Sequence, residues 1–241
     1  MCTFVNGLFL TRNGEKALRQ DGSARISDGS CIHPDCVIYN SIIHGFCRLG
    51  QVKEAVGLFN EMVLKSMNPN VYTFTMLMDV LCKDGKVREA KNALAVMIRR
   101  GQKPDVVTYN TLIAGYCQVK EVKNGRHLFN SMIRAGVTPN VLSHNILING
   151  LSKTGEVFEA TTLLRQMQRR HIVPTTETYN SLLEGLCRTE NMRTEHVYEA
   201  VNLFEEMHME HIASDTVTYT CLIYCLRKSR RIFYLQELIR K

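Results

Sequence analysis

With 241 residues, 45% of them hydrophobic, the chain has enough apolar material for one or two compact domains or one elongated array. Five prolines and no tryptophan argue against a disordered or aromatic-rich binder, and no apolar run approaches the roughly 20 residues that cross a bilayer. A net charge of +7 points to an acidic partner, of which nucleic acid is the commonest.

The first chemistry-bearing cluster along the chain is "CIHPDC", with Cys31, His33 and Cys36. It has the residue types of a zinc site, but no second ligand pair follows at finger spacing, so neither a metal nor a cofactor is expected. From Pro34 onward the chain is periodic. Pro34, Pro69, Pro104, Pro139 and Pro174 stand 35 residues apart, followed by Asp35, Asn70, Asp105, Asn140 and Thr175. The next counterpart is Ser214-Asp215, 40 residues on, and the five extra residues fall within "RTENMRTEHV". A proline stops the previous element and an Asx side chain caps the next, so each pair predicts a helix start.

Each copy then predicts two helices. Tyr39, Ile42, Ile43 and Phe46 lie at i, i+3, i+4 and i+7, one apolar stripe; "RLGQ" breaks the chain; Val52, Ala55, Phe59 and Met62 form a second stripe. Tyr109, Ile113 and Tyr116, then Val122, Leu128, Phe129 and Met132, repeat the design. Neither helix can bury its stripe alone, so the expected fold is all-α, an α-solenoid of stacked helix-turn-helix copies. Cys47, Cys82, Cys117 and Cys187 hold one equivalent place in separate copies, which predicts small buried fillers and a reducing compartment rather than disulfides.

A polar pattern runs beside the apolar one. Counted from the residue after each Pro-Asx pair, the fifth residues are Asn40, Thr75, Asn110, Asn145, Asn180 and Thr220. These are poor helix formers, because their side chains compete for backbone hydrogen bonds. The fifth place lies about 90–110° around the helix from the apolar stripe, on a face shared with the second and thirteenth places. The second residues are Val37, Tyr72, Val107, Leu142, Glu177 and Val217; the thirteenth are Arg48, Lys83, Gln118, Lys153, Arg188 and Lys228. An apolar side chain, a small hydrogen-bonder and a positive charge per copy complement the base face, base edge and phosphate of one nucleotide. The cations also suit a helix C-terminus, and the closing Asx residues suit a cap. No comparable structural role covers the fifth residue, so it is expected to contact an RNA base.

The segments "VVTYNTLIAGYCQVKEVKNGRHLFNSMIRAGVTPN" and "VLSHNILINGLSKTGEVFEATTLLRQMQRRHIVPT" resemble pentatricopeptide repeats of the uniform 35-residue type. The resemblance implies a right-handed solenoid of five full copies over 36–70, 71–105, 106–140, 141–175 and 176–215, the last carrying the insertion. It further implies a truncated sixth copy over 216–241. Residues 1–35, with "TFVNGLFLTRNGEKAL", resemble a degenerate copy. The tetratricopeptide pattern is excluded by its missing tryptophan and shorter period.

By that resemblance the fifth and last residues of a copy together select a base. The pairs are Asn40 with Asn70, Thr75 with Asp105, Asn110 with Asn140, Asn145 with Thr175, and Asn180 with Asp215; Thr220 begins a sixth. Val37, Tyr72, Val107, Leu142 and Val217 are the implied base sandwich, where Glu177 departs from the pattern. Arg48, Lys83, Lys153, Arg188 and Lys228 are the expected phosphate contacts. The implied partner is single-stranded RNA with a 5′-YGYYUR-3′ site, in a plant mitochondrion or plastid, and the implied work is transcript processing, stability, editing or translation. "MCTFVNGLFL" lacks the character of a transit peptide. Six bases recur by chance about once in four thousand nucleotides, so part of a longer array is expected. A helical protein-interaction scaffold is the alternative. No H-x-E with P-C-x-x-C is present, so an enzyme is not expected.

Overall fold

The computed structural model describes residues 24–25, 31–32, 35–188 and 194–228. Among these, a two-residue antiparallel ladder joins β1 (Ala24–Arg25) to β2 (Cys31–Ile32), pairing Ala24 with Ile32 and Arg25 with Cys31. All other regular structure there is helical: α1 (Cys36–Arg48), α2 (Val52–Leu64), α3 (Val71–Lys83), α4 (Val87–Arg99), α5 (Val106–Gln118) and α6 (Val122–Arg134). The series continues with α7 (Val141–Lys153), α8 (Val157–Arg169), α9 (Thr176–Arg188), α10 (Thr194–Met209) and α11 (Thr216–Lys228). The all-α class expected from the periodicity stands. The rest of the degenerate copy over 1–35, His33 included, lies outside the described residues, as do residues 189–193 of the insertion and 229–241 of the sixth copy.

The helix starts are set by the closing residue of each copy. Asp35, Asn70 and Asn140 sit in extended backbone, and their side chains accept the N–H of Ile38, Thr73 and Ser143 at 2.9 Å. Gly85 shows how a first helix ends: at φ 75° it gives its N–H to Cys82 O, while Lys86 N–H reaches back to Leu81 O. Three residues then separate α3 from α4, a turn short enough to send the second helix back along the first. The insertion in the fifth copy lengthens its second helix, since α10 has 16 residues where α2, α4, α6 and α8 have 13.

The chain divides into two compact units, residues 1–112 and 113–241, with the boundary inside α5. In the first, α1 packs on α2 and α3, and α3 packs on α4. Tyr39, Ile43, Ala55, Met62, Phe74, Met78, Ala90 and Met97 are buried there, and Phe59 meets Phe74 edge-on at 5.2 Å. In the second, α6 and α8 pack on α7, α7 packs on α9, and α9 packs on α8, α10 and α11. Leu147, Ile148, Leu164, Leu182, Leu186, Met207 and Leu222 fill that core. Each such side chain contributes roughly 1.5–3 kcal/mol relative to exposure. Helices α7 and α9 approach to a distance that only glycine admits: a Cβ on Gly185 would stand 2.7 Å from Ser152 Cβ.

The repeated cysteines are fillers. Cys47, Cys82 and Cys187 are buried and Cys117 is half-buried, all as free thiols. Burial pushes Cys47 and Cys117 up to about 11 and Cys82 up to about 12, so these thiols stay protonated and unreactive at neutral pH. One core position was not legible beforehand. His144 stands where four other first helices carry tyrosine and α3 carries phenylalanine, fully buried, its ring edge-on to Phe129 at 5.1 Å. Its Nδ1–H donates to Asn140 O at 2.8 Å, since a carbonyl can only accept.

Candidate nucleic-acid interface

Four of the fifth-place side chains are tied to the next copy through a threonine. In the first unit, the Thr73 hydroxyl contacts Asn40 Oδ1 and lies 2.9 Å from Asn70 Oδ1. Thr75 Oγ1 lies 3.0 Å from Thr108 Oγ1, which is 2.8 Å from the capping carboxylate of Asp105. In the second unit, Thr178 donates to Asn145 Oδ1 at 2.6 Å and accepts Thr175 N–H at 3.0 Å. Asn145 Nδ2 donates to Thr175 Oγ1 at 3.2 Å. Thr218 donates to Asn180 Oδ1 at 2.7 Å, and Asn180 Nδ2 donates to Asp215 Oδ1 at 3.0 Å. The fifth and last residues of a copy therefore meet around the third residue of the following one. Four of the five pairs come together this way: Asn40 with Asn70, Thr75 with Asp105, Asn145 with Thr175, and Asn180 with Asp215. Asn110 and Asn140 fall in different units.

This geometry corrects the expectation that nothing structural covers the fifth place. Thr73, Thr108, Thr178 and Thr218 are buried, and a buried hydroxyl needs a partner. The fifth place supplies one: an asparagine carbonyl for Thr73, Thr178 and Thr218, and the Thr75 hydroxyl for Thr108. The bond also orients the amide: with Oδ1 held by threonine, Nδ2 is the end left to face a ligand at Asn40. The threonine at the third place was missed from the sequence, although its recurrence in four copies was readable there.

Exposure along the fifth place is uneven, which corrects the picture of one uniform open face. Asn110 and Asn145 are only 5% and 3% exposed, and Asn110 Oδ1 is buried without a partner. Asn40, Thr75 and Asn180 are half-buried. Thr220 is exposed and turns its hydroxyl onto Thr216 O at 2.6 Å, within its own helix. The last residues Asn70, Asp105, Asn140, Thr175 and Asp215 are all exposed. Asp215 is held below the usual carboxylate range, first by the Thr218 backbone N–H and then by the Asn180 amide.

At the second place Val37, Tyr72, Val107, Leu142 and Val217 are each more than half exposed. A large apolar side chain thus stands in water at the same place of five copies. Among the thirteenth-place cations, Arg48 and Lys153 are exposed. Lys83 pairs with Asp79 at 2.7 Å and Arg188 with Glu184 at 3.0 Å. Lys228 reaches Cys187 O at 3.4 Å and lies 5.9 Å over the Tyr224 ring. Exposed i,i+4 ion pairs are weak, roughly 0.3–0.5 kcal/mol, so exchange for a phosphate costs little.

Comparison with known proteins follows the same register. The PPR repeat family model matches residues 34–83, 75–117, 104–153 and 139–188, and a second PPR repeat model matches 177–212. Among solved structures, the pentatricopeptide repeat protein PPR10 in complex with an 18-nt psaJ RNA element is similar at TM-score 0.66 and 23% identity, over 98% of this chain. PPR10 from maize is similar at TM-score 0.63 and 22% identity, over 97% of this chain and 38% of that one. The chain spans about a third of PPR10, 32% of the RNA-complexed structure. The PPR domain of Arabidopsis thaliana protein-only RNase P 1 in complex with tRNA is similar at TM-score 0.66 and 14% identity, over 79% of this chain and 98% of that one. At these identities the likenesses speak for the fold. No curated protein matches the chain.

Proposed function

Because the chain belongs to the pentatricopeptide repeat family, we propose that it binds single-stranded RNA with sequence preference, one base to a copy. The observation that carries this is the hydrogen-bonded union of fifth and last residues beside an exposed apolar second residue. A base can stack on the apolar side chain while its edge meets the polar pair. That similar folds have been solved with an RNA element and with tRNA supports the reading.

The chemistry of each pair gives the preference. Asp105 and Asp215 only accept, which suits the ring N–H of guanine or uracil. The Nδ2 of Asn40 donates, which suits the carbonyl edge of a pyrimidine. The proposed site is 5′-YGYYUR-3′, with Thr220 taking the final purine. We read the protein as a binder acting by occupancy on organelle transcripts, blocking nucleases or keeping a segment unpaired, rather than as a catalyst. Selection from a randomised single-stranded RNA pool tests this: guanine is expected at the second place, read by Thr75 and Asp105. A pool returning no sequence preference, with Asn40→Ala and Asn180→Ala neutral, would leave the protein-interaction scaffold as the better reading.

A further inference from the structure

Glu177 is the one second-place residue that is not apolar, and the structure shows where its side chain goes. Its Oε2 accepts a hydrogen bond from Asn145 Nδ2 at 3.3 Å. The other Nδ2 hydrogen goes to Thr175 Oγ1 at 3.2 Å, and Oδ1 accepts from Thr178 at 2.6 Å. An asparagine amide has two hydrogens and one carbonyl. All three groups of Asn145 are thus engaged within the protein, and the residue is 3% exposed. Asn180, one copy on, gives one hydrogen to Asp215 and its carbonyl to Thr218, which leaves its second hydrogen for a ligand.

We propose that Glu177 fills the base slot of the fourth copy, so that the chain reads the bases on either side and skips the one between. The inference rests on the RNA-binding reading above. The carboxylate takes the edge contact a pyrimidine would make, and the apolar platform opposite Leu142 is missing because an acid stands in its place. Its negative charge also repels the phosphates of any bound RNA, which weakens binding. The fourth position is therefore a spacer, which narrows the site proposed above to 5′-YGYNUR-3′, with Glu177 as its determinant.

The test uses the whole chain and a fluorescein-labelled single-stranded RNA containing UGUCUG, with the second and fourth bases varied separately. For the unsubstituted protein, changing the second base is expected to cost about fivefold in Kd, the worth of one hydrogen bond, and changing the fourth less than about twofold. Glu177→Val frees one hydrogen of the Asn145 amide and restores an apolar platform: a fourth-place pyrimidine becomes preferred about fivefold, and overall affinity rises about threefold as the charge is removed. Glu177→Gln removes the charge but keeps an acceptor on Asn145, so affinity rises without discrimination. Glu177 is exposed, and circular dichroism of each variant is expected to match the parent. If the parent already discriminates at the fourth place, or Glu177→Val stays indifferent there while the second base is still read, the proposal is overturned. If neither base matters to any variant, the RNA-binding reading itself fails and takes the proposal with it.

Discussion

Asn180 gives an amide hydrogen to Asp215 Oδ1 at 3.0 Å, across 35 residues of sequence. The same oxygen accepts Thr218 N–H at 2.9 Å, so the carboxylate is at once a helix cap and a partner of the residue one copy behind. Capping and base selection are therefore not alternatives for this side chain, because a cap uses only part of a carboxylate's accepting capacity.

Asp215→Asn keeps the cap, since asparagine and aspartate cap equally well, but exchanges an acceptor for a group that also donates. Preference at the fifth RNA place is expected to move from uracil toward cytosine by about fivefold. Paired Kd measurements on RNAs differing only at that base check it, and an unmoved preference would remove Asp215 from the selecting pair.

Thr178→Val keeps the shape of a fully buried side chain and strips the hydroxyl that satisfies Asn145 Oδ1. An unfolding cost of about 1–3 kcal/mol is expected in urea titration, and Thr178→Ser should cost less. Equal stability of all three would mean that the copy-to-copy bond is not structural.

Salt dependence counts the phosphate contacts. If Arg48, Lys83, Lys153, Arg188 and Lys228 all meet phosphates, the slope of log K against log salt is about −0.7 times five, roughly −3.5. If Lys83 and Arg188 stay with Asp79 and Glu184, three cations remain and the slope is roughly −2.1. Lys83→Ala then separates the cases: it flattens the slope by about 0.7 only if Lys83 has exchanged partners.

Burial, with Arg170 nearby, lowers the pKa of His144 below its ordinary 6.5, so the folded protein holds this ring neutral. For a group depressed on folding, the stabilisation is present above the unfolded value and lost as pH falls through the folded one. The thermal midpoint is expected to drop as pH falls below about 7.5, where the unfolded ring begins to protonate, and His144→Phe to lessen that drop. An identical acid sensitivity in the two proteins would show that His144 carries none of it.

Much of the fold was legible. The spacing of Pro34, Pro69, Pro104, Pro139 and Pro174 marked the helix starts, and the stripe through Tyr39, Ile42 and Ile43 is the buried face of α1. Phe46 was expected in that stripe, but it is only half-buried and Cys47 takes the covered place. Local rules suffice for such features because a cap acts over three residues and a helical face over seven. The exposed second-place residues from Val37 to Val217 were legible for the same reason.

What the sequence by itself determined is therefore the length of the copy, the ends of its helices and the face each residue occupies, all properties of one helix at a time. Only the tertiary structure decided that the Thr73 and Thr178 hydroxyls meet Asn40 and Asn145 across 33 residues, that Asn110 and Asn145 are covered while Thr220 is open, and that Glu177 leans onto an amide. Those meetings depend on how far one hairpin slides along the next, which is set by packing at close approaches such as Gly185 on Ser152 and leaves no mark in the periodicity of a single helix.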